Sequence, residues 1–216
     1  MNARIARHAA ASVIALAVLS ACVPDAGPAT GPGVDTSVDS TAPAAQAADA
    51  DLARAKAAAQ AFSGQLRARL QDAMRDGPVA AIEVCHDDAP RIAEAVMVEH
   101  GVRLGRVALP GRNRNPAHVA RDWRLQALQS FQQAVETGAP AVDQIAVMRD
   151  GLPDGIALRM MRGIATEPGC LGCHGSNVAT PVREAIVARY PGDGATGFEV
   201  GDLRGALWVE VPSAAQ

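Results

Sequence analysis

Cys170-Leu171-Gly172-Cys173-His174 carries the densest chemistry in the chain. Two thiols three positions apart, followed at once by an imidazole, form the Cys-x-x-Cys-His attachment signature of a c-type haem. The spacing has a chemical reason. The thiols add across the two vinyl groups of one porphyrin, and the adjacent imidazole reaches the iron as its proximal ligand. A redox Cys-x-x-Cys would have no use for His174. A zinc site would need a further Cys or His pair at ligand spacing, which the remaining Cys and His do not form. The motif therefore predicts a single covalent haem c, with thioethers at Cys170 and Cys173 and proximal ligation by His174.

The second axial position of such an iron has several claimants: His86, His100, His118, Met97, Met148, Met160, Met161, Cys85, or no protein ligand. Met or His is the usual choice. The chain has four cysteines. With two in thioethers and Cys22 modified as described next, Cys85 is the one thiol left, and a lone thiol in an exported protein calls for an explanation. The competing reading of Cys85 is a small buried hydrophobe.

Arg4 and Arg7 precede an apolar run, Ala9 to Leu19, laid out like a secretory signal and too short to span a bilayer. The run ends in Leu19-Ser20-Ala21-Cys22, which resembles a bacterial lipobox. That resemblance implies cleavage before Cys22, a diacylglycerol on its sulfur and an acyl chain on its new amino group. Several acyl chains anchor stably where one binds only marginally. Val23 follows in place of Asp, which by resemblance to the Gram-negative sorting rule implies the outer membrane. The expectation is a protein tethered by lipid on the periplasmic side, not spanning. The chain holds 20 basic and 23 acidic side chains. Loss of residues 1–21 removes two Arg, leaving a formal charge of −5 and no basic stretch suited to nucleic acid.

Three segments follow: a lipoprotein signal peptide over residues 1–21, the lipidated Cys22 with a disordered linker to residue 50, and one haem domain over 51–213. The linker reading rests on an Ala, Pro, Gly, Ser, Thr and Asp composition without hydrophobic periodicity. Such a coil would hold the domain roughly 30 Å from the lipid. Phe62, Leu66, Leu70 and Met74 recur every four residues and predict a helix ended by Gly77-Pro78. Pro78 opens a second helix with Val79, Ile82 and Cys85 on one face, and a third runs from about Pro90 to His100 with Gly101 as its stop. Asp87-Asp88 read as a cap at its start. Val102 to Leu109 reads as a strand, and Trp123, Leu128, Phe131 and Val135 mark a helix ending at Gly138. Gln144 to Met148 and Gly155 to Met161 form a hairpin around an Asp-Gly-Leu-Pro-Asp-Gly turn, followed by a helix from Pro181 to Tyr190 and a strand from Gly205 to Val211. Helices first and strands later predict an α+β domain with an antiparallel sheet.

Several separated motifs carry a family resemblance. They are Ala81-Ile82-Glu83-Val84-Cys85 with Ala89-Pro90-Arg91-Ile92-Ala93, then Arg114-Asn115-Pro116 before Trp123, then Cys170 to Gly175, Tyr190-Pro191-Gly192-Asp193, and Gly201-Asp202-Leu203-Arg204-Gly205-Ala206. From about Val79 to Val211 the chain resembles a family of small exported c-type haem proteins, also found as sensory modules of bacterial signalling proteins. The resemblance implies a PAS-like antiparallel sheet with N-terminal helices packed around one covalent haem. It also implies Cys85 as the distal ligand opposite His174. His118-Val119-Ala120-Arg121-Asp122-Trp123-Arg124 departs from the family, which has a further Pro and a Trp-Glu pair in this loop. Neighbouring helix positions lie about 100° apart, so Cys85 and His86 cannot both face the iron, and Cys85 shares the apolar side. Arg112, Arg114 and Arg204 are candidate partners of the haem propionates, because guanidinium forks match carboxylates.

A thiolate ligand stabilises ferric over ferrous iron and lowers the potential. The expected function is therefore a low-potential redox or electron-transfer role, without enzymatic activity. The alternative is a haem-based sensor of redox state or of NO or CO, acting through a separate signalling partner. A peroxidase would need an open iron position, which six-coordination opposes.

Overall fold

The structure, a computed structural model, describes residues 41–214, with side chains from Ala45 onward. The signal segment, Cys22 and the linker up to residue 40 lie outside the described residues.

Helix α1 runs Thr41–Ala73, so the last ten residues of the segment expected to be linker are helical. The reason is alanine, the strongest helix former. Ala55, Ala58, Ala59, Phe62 and Leu66 are buried at i, i+3, i+4, i+7, i+11 spacing, so small residues form an apolar stripe that composition alone disguises. Met74 is exposed and ends outside that stripe. After Gly77, α2 (Pro78–Glu83) and α3 (Ala89–His100) are joined by a single π-helical turn, Val84–Asp88. Gly101 closes α3 in the left-handed conformation, with φ of 60°.

Four strands follow. β1 (Arg103–Val107) leads to α4 (Asp122–Glu136), then β2 (Ile145–Met148) and β3 (Ile156–Ala165) form a hairpin. A long connection carrying α5 (Leu171–His174) and α6 (Thr180–Arg189) reaches β4 (Leu203–Pro212). The sheet is antiparallel throughout, in the order β1-β4-β3-β2. The chain is thus α+β, as expected. Among the described residues no helix is long and apolar enough to cross a membrane.

Period-two alternation gives the sheet two buried faces. Leu104, Leu158, Met160, Leu207, Val209 and Val211 pack with α1 and α3. Val107, Met161, Leu203 and Ala206 pack with α4 on the other side. A third cluster joins Ile82 of α2 to Val182 and Ile186 of α6, with Cys173 against it. That cluster ties the Cys-x-x-Cys-His segment to the α2–α3 helix pair.

Candidate functional site

Local sequence explains how His174 is presented. Pro168 opens a short 3₁₀ turn, Pro168–Cys170, that runs directly into α5. Gly175 ends the turn, and a Cβ there would lie 2.7 Å from the Leu171 carbonyl oxygen. His174 Nδ1 donates to the Ala195 carbonyl at 2.6 Å. A carbonyl only accepts, so this bond places the ring proton on Nδ1 and makes Nε2 the lone-pair acceptor, which here accepts from Arg204 Nη1 at 3.3 Å. Burial, followed by the charges of Arg204 and Arg114, pushes His174 down to about 2. The ring is neutral. A neutral imidazole with its far nitrogen pinned to backbone is the arrangement metal-bound histidines use.

Cys85 reaches the same cleft by a different device. Pro90 cannot donate to the carbonyl four residues earlier and its ring crowds it, yet the helix continues to His100. The π turn at Val84–Asp88 absorbs the conflict, with the Ala89 N–H closing a wide ring onto the Val84 carbonyl. Asp87 and Asp88 lie inside this turn, and no side-chain cap forms at Asp88, which corrects the helix-start reading. Cys85 then lines a cleft with His174, Arg106, Arg112, Arg114, His118, Tyr190 and Arg204. His86 turns away: its Nδ1 bonds Asp87 Oδ1 at 2.7 Å and its ring meets Tyr190 edge-on. Val79 is exposed, so only Ile82 and Cys85 of the expected face point inward.

Two arginines enter from the sheet, Arg204 on β4 and Arg106 on β1. Ile164 pairs with Gly205 and Ala165 with Leu203, which leaves Arg204 as the extra residue of a β-bulge. Bulges re-aim single side chains, and here the guanidinium is sent to His174, with Nη1 3.3 Å from Nε2. Gly205 makes the bulge feasible, with φ of 154° and space for no Cβ beside the Val107 carbonyl. Arg106 occupies the position of β1 that alternates with Leu104, so a charge sits on the face that otherwise packs against α1. Its guanidinium lies 5.9 Å from the Phe62 ring centre. Burial lowers Arg106, and burial together with Arg106 brings Arg204 down to about 10. His118 stands close to both and is pushed down to about 4 by burial and then by the two guanidinium charges.

The loop at 111–115 and the loop at 190–198 zip together beside His174. Arg114 Nε and Nη2 donate to Asp193, and Nη2 also donates to the Cys173 carbonyl at 2.7 Å. Gly194 N–H donates to the Asn113 carbonyl. Arg112 donates to the Thr196 carbonyl and stacks 3.9 Å from the centre of the Phe198 ring, which meets His174 edge-on. The Arg114 and Asp193 side chains are only 11% and 7% exposed. Breaking a buried pair strands a charge, so Asp193→Ala is expected to cost about 3 kcal/mol or more in urea unfolding. A loss within the range of an exposed pair would show that the clamp is not structural.

With this geometry in view, comparison with known families is decisive: residues 40–212 match the Tll0287-like model. The chain belongs to the Tll0287-like family. A solved structure titled the cyanobacterial heme-protein Tll0287 is 32% identical, over 60% of this chain and 72% of that one, with a TM-score of 0.47. Comparison with curated proteins gives no match.

In this Tll0287-like chain, the expected residues Cys85, His174, Arg112, Arg114 and Arg204 do come together in one cleft. Cys170 and Cys173 flank it on the turn that presents His174. The Cys170 sulfur accepts from Glu167 N–H, and burial pushes the Cys173 thiol up. Met160 and Met161 are fully buried in the sheet faces, and Met97 and Met148 pack at the two cores' margins. His118, one ligand candidate among several in the sequence, is in the cleft. Arg106 and Tyr190 line it unforeseen. Arg106 had a signal: a charge at an inward position of an alternating strand.

The donor set suits a haem. It offers two thiols and a neutral imidazole on one turn, a further thiol across the cleft lining, and guanidinium groups for acidic substituents. The Nε atom of Arg204 is buried without a partner, which marks a place prepared for an acceptor.

Proposed function

We propose that this chain is an exported, lipid-anchored haem protein carrying a single covalent haem c. In this reading Cys170 and Cys173 hold the porphyrin, His174 is the proximal ligand and Cys85 the distal one. The observation that carries it is the convergence of His174, with Nδ1 donating to Ala195 and Nε2 unprotonated and turned to the cleft, and Cys85 in one cleft. Family membership supports it, since a relative is titled a heme-protein. A haem so bound supplies a one-electron couple. The protein's own part is to keep the imidazole neutral and oriented, to hold a thiol against the cleft and to set positive charge around it. With a protein ligand on each side, the role is electron transfer at low potential, with a separate redox protein as partner and no substrate turnover. Cys22 would tether it to the periplasmic face of the outer membrane.

The test is expression of the full chain in a host with haem-attachment machinery. Haem staining after denaturation and a six-coordinate low-spin ferric spectrum are expected. A protein that loses all its haem on denaturation would overturn the covalent reading, and a high-spin ferric spectrum would overturn the two-ligand one.

A further inference from the structure

We propose that Arg106 and Arg204 are the carboxylate-binding pair of the cleft and take the two propionates of the haem, while Arg112 and Arg114 serve structure alone. The inference rests on the haem reading above.

Four guanidinium groups line the cleft, and their commitments differ. Arg114 is tied to Asp193 and the Cys173 carbonyl, and Arg112 to the Thr196 carbonyl and the Phe198 ring. Both belong to the clamp between two loops. Arg106 and Arg204 have no acidic partner within 4 Å among the described residues; Arg204 Nη1 contacts the neutral His174 Nε2 at 3.3 Å, which leaves its charge uncompensated. The Arg204 Nε atom is buried and unpartnered.

Two like charges enclosed side by side, next to His118, are unfavourable without a counter-charge. A ligand with two carboxylates supplies one for each, and a planar guanidinium accepts each in a fork. Both arginines stand on rigid backbone, Arg106 in β1 and Arg204 on the bulge of β4. Their positions are set by the sheet and not by a loop. A monocarboxylate would leave one charge uncompensated, so the site is built for a dianion.

The test separates this pair from the covalent anchor. In the full chain with Cys170 and Cys173 both replaced by Ser, non-covalent affinity for hemin is compared with that for hemin dimethyl ester. The diacid is expected to bind about tenfold or more tightly, as loss of a charge-assisted hydrogen bond demands. Arg106→Gln and Arg204→Gln should each shrink that ratio, and Arg112→Gln should leave it unchanged. Equal binding of the two porphyrins overturns the proposal without needing any arginine variant. So does a preference that survives both substitutions or vanishes only in Arg112→Gln. If neither porphyrin binds, the haem reading falls with it, an outcome distinct from equal binding.

Discussion

Replacing Cys170 and Cys173 together by Ser is expected to abolish covalent haem attachment while leaving the domain folded. Serine hydroxyls do not add to vinyl groups under conditions in which thiols do, so no bond survives denaturation. Each single substitution should leave one thioether and reduced yield. The fold should tolerate the change. Cys170 is half-buried and its sulfur accepts one backbone hydrogen bond, which a hydroxyl also accepts. Cys173 packs only at the margin of the α2–α6 cluster. Truncating a methylene-sized volume there costs on the order of 1 kcal/mol. Haem staining after denaturing electrophoresis reads attachment, and circular dichroism reads the fold. Haem retained through denaturation in the double variant would sink the assignment of these two thiols.

The second large effect is at Cys85. Cys85→Ala is expected to shift the Soret and visible bands and to raise the midpoint potential, because the anionic donor that favours ferric iron is gone. Axial ligands span about 0.8 V across haem proteins, so a rise on the order of a hundred millivolts is in scale. His118 is the control that gives this experiment its force. It lines the same cleft, and burial with the neighbouring arginines keeps it neutral, as a ligand must be. His118→Ala should leave the ligand spectrum intact. If the spectra move in His118→Ala and not in Cys85→Ala, the distal ligand is the imidazole. His86, bonded to Asp87 outside the cleft, should be silent in the same assay.

Much of the architecture was legible because its signals are local. The α3 stop at Gly101, the β2–β3 hairpin and the helix from Thr180 to Arg189 follow from glycine, turn chemistry and short-range periodicity. Where the reading failed, the deciding interaction was not local. The helix start at Thr41 is not legible in the sequence, because an alanine stripe looks featureless until the sheet it packs on is known. Asp87 and Asp88 before Pro90 imitate a capped helix start, whereas the chain resolves the conflict with a π turn.

The sequence by itself determined which reactive groups stand together at Cys170 to His174. Two thiols and an imidazole within five consecutive residues lie on a single turn, whatever surrounds them, and the nearby Gly175 is required by that turn alone. Only the tertiary structure decided what each arginine is for. Arg112, Arg114 and Arg204 look alike along the chain. Arg114 meets Asp193 from 79 residues away and Arg112 meets Thr196 from 84, while a register shift between β3 and β4 turns Arg204 inward. A guanidinium's role is set by which charges the fold brings within hydrogen-bond reach, and that is a property of distance in space, which spacing in sequence does not encode.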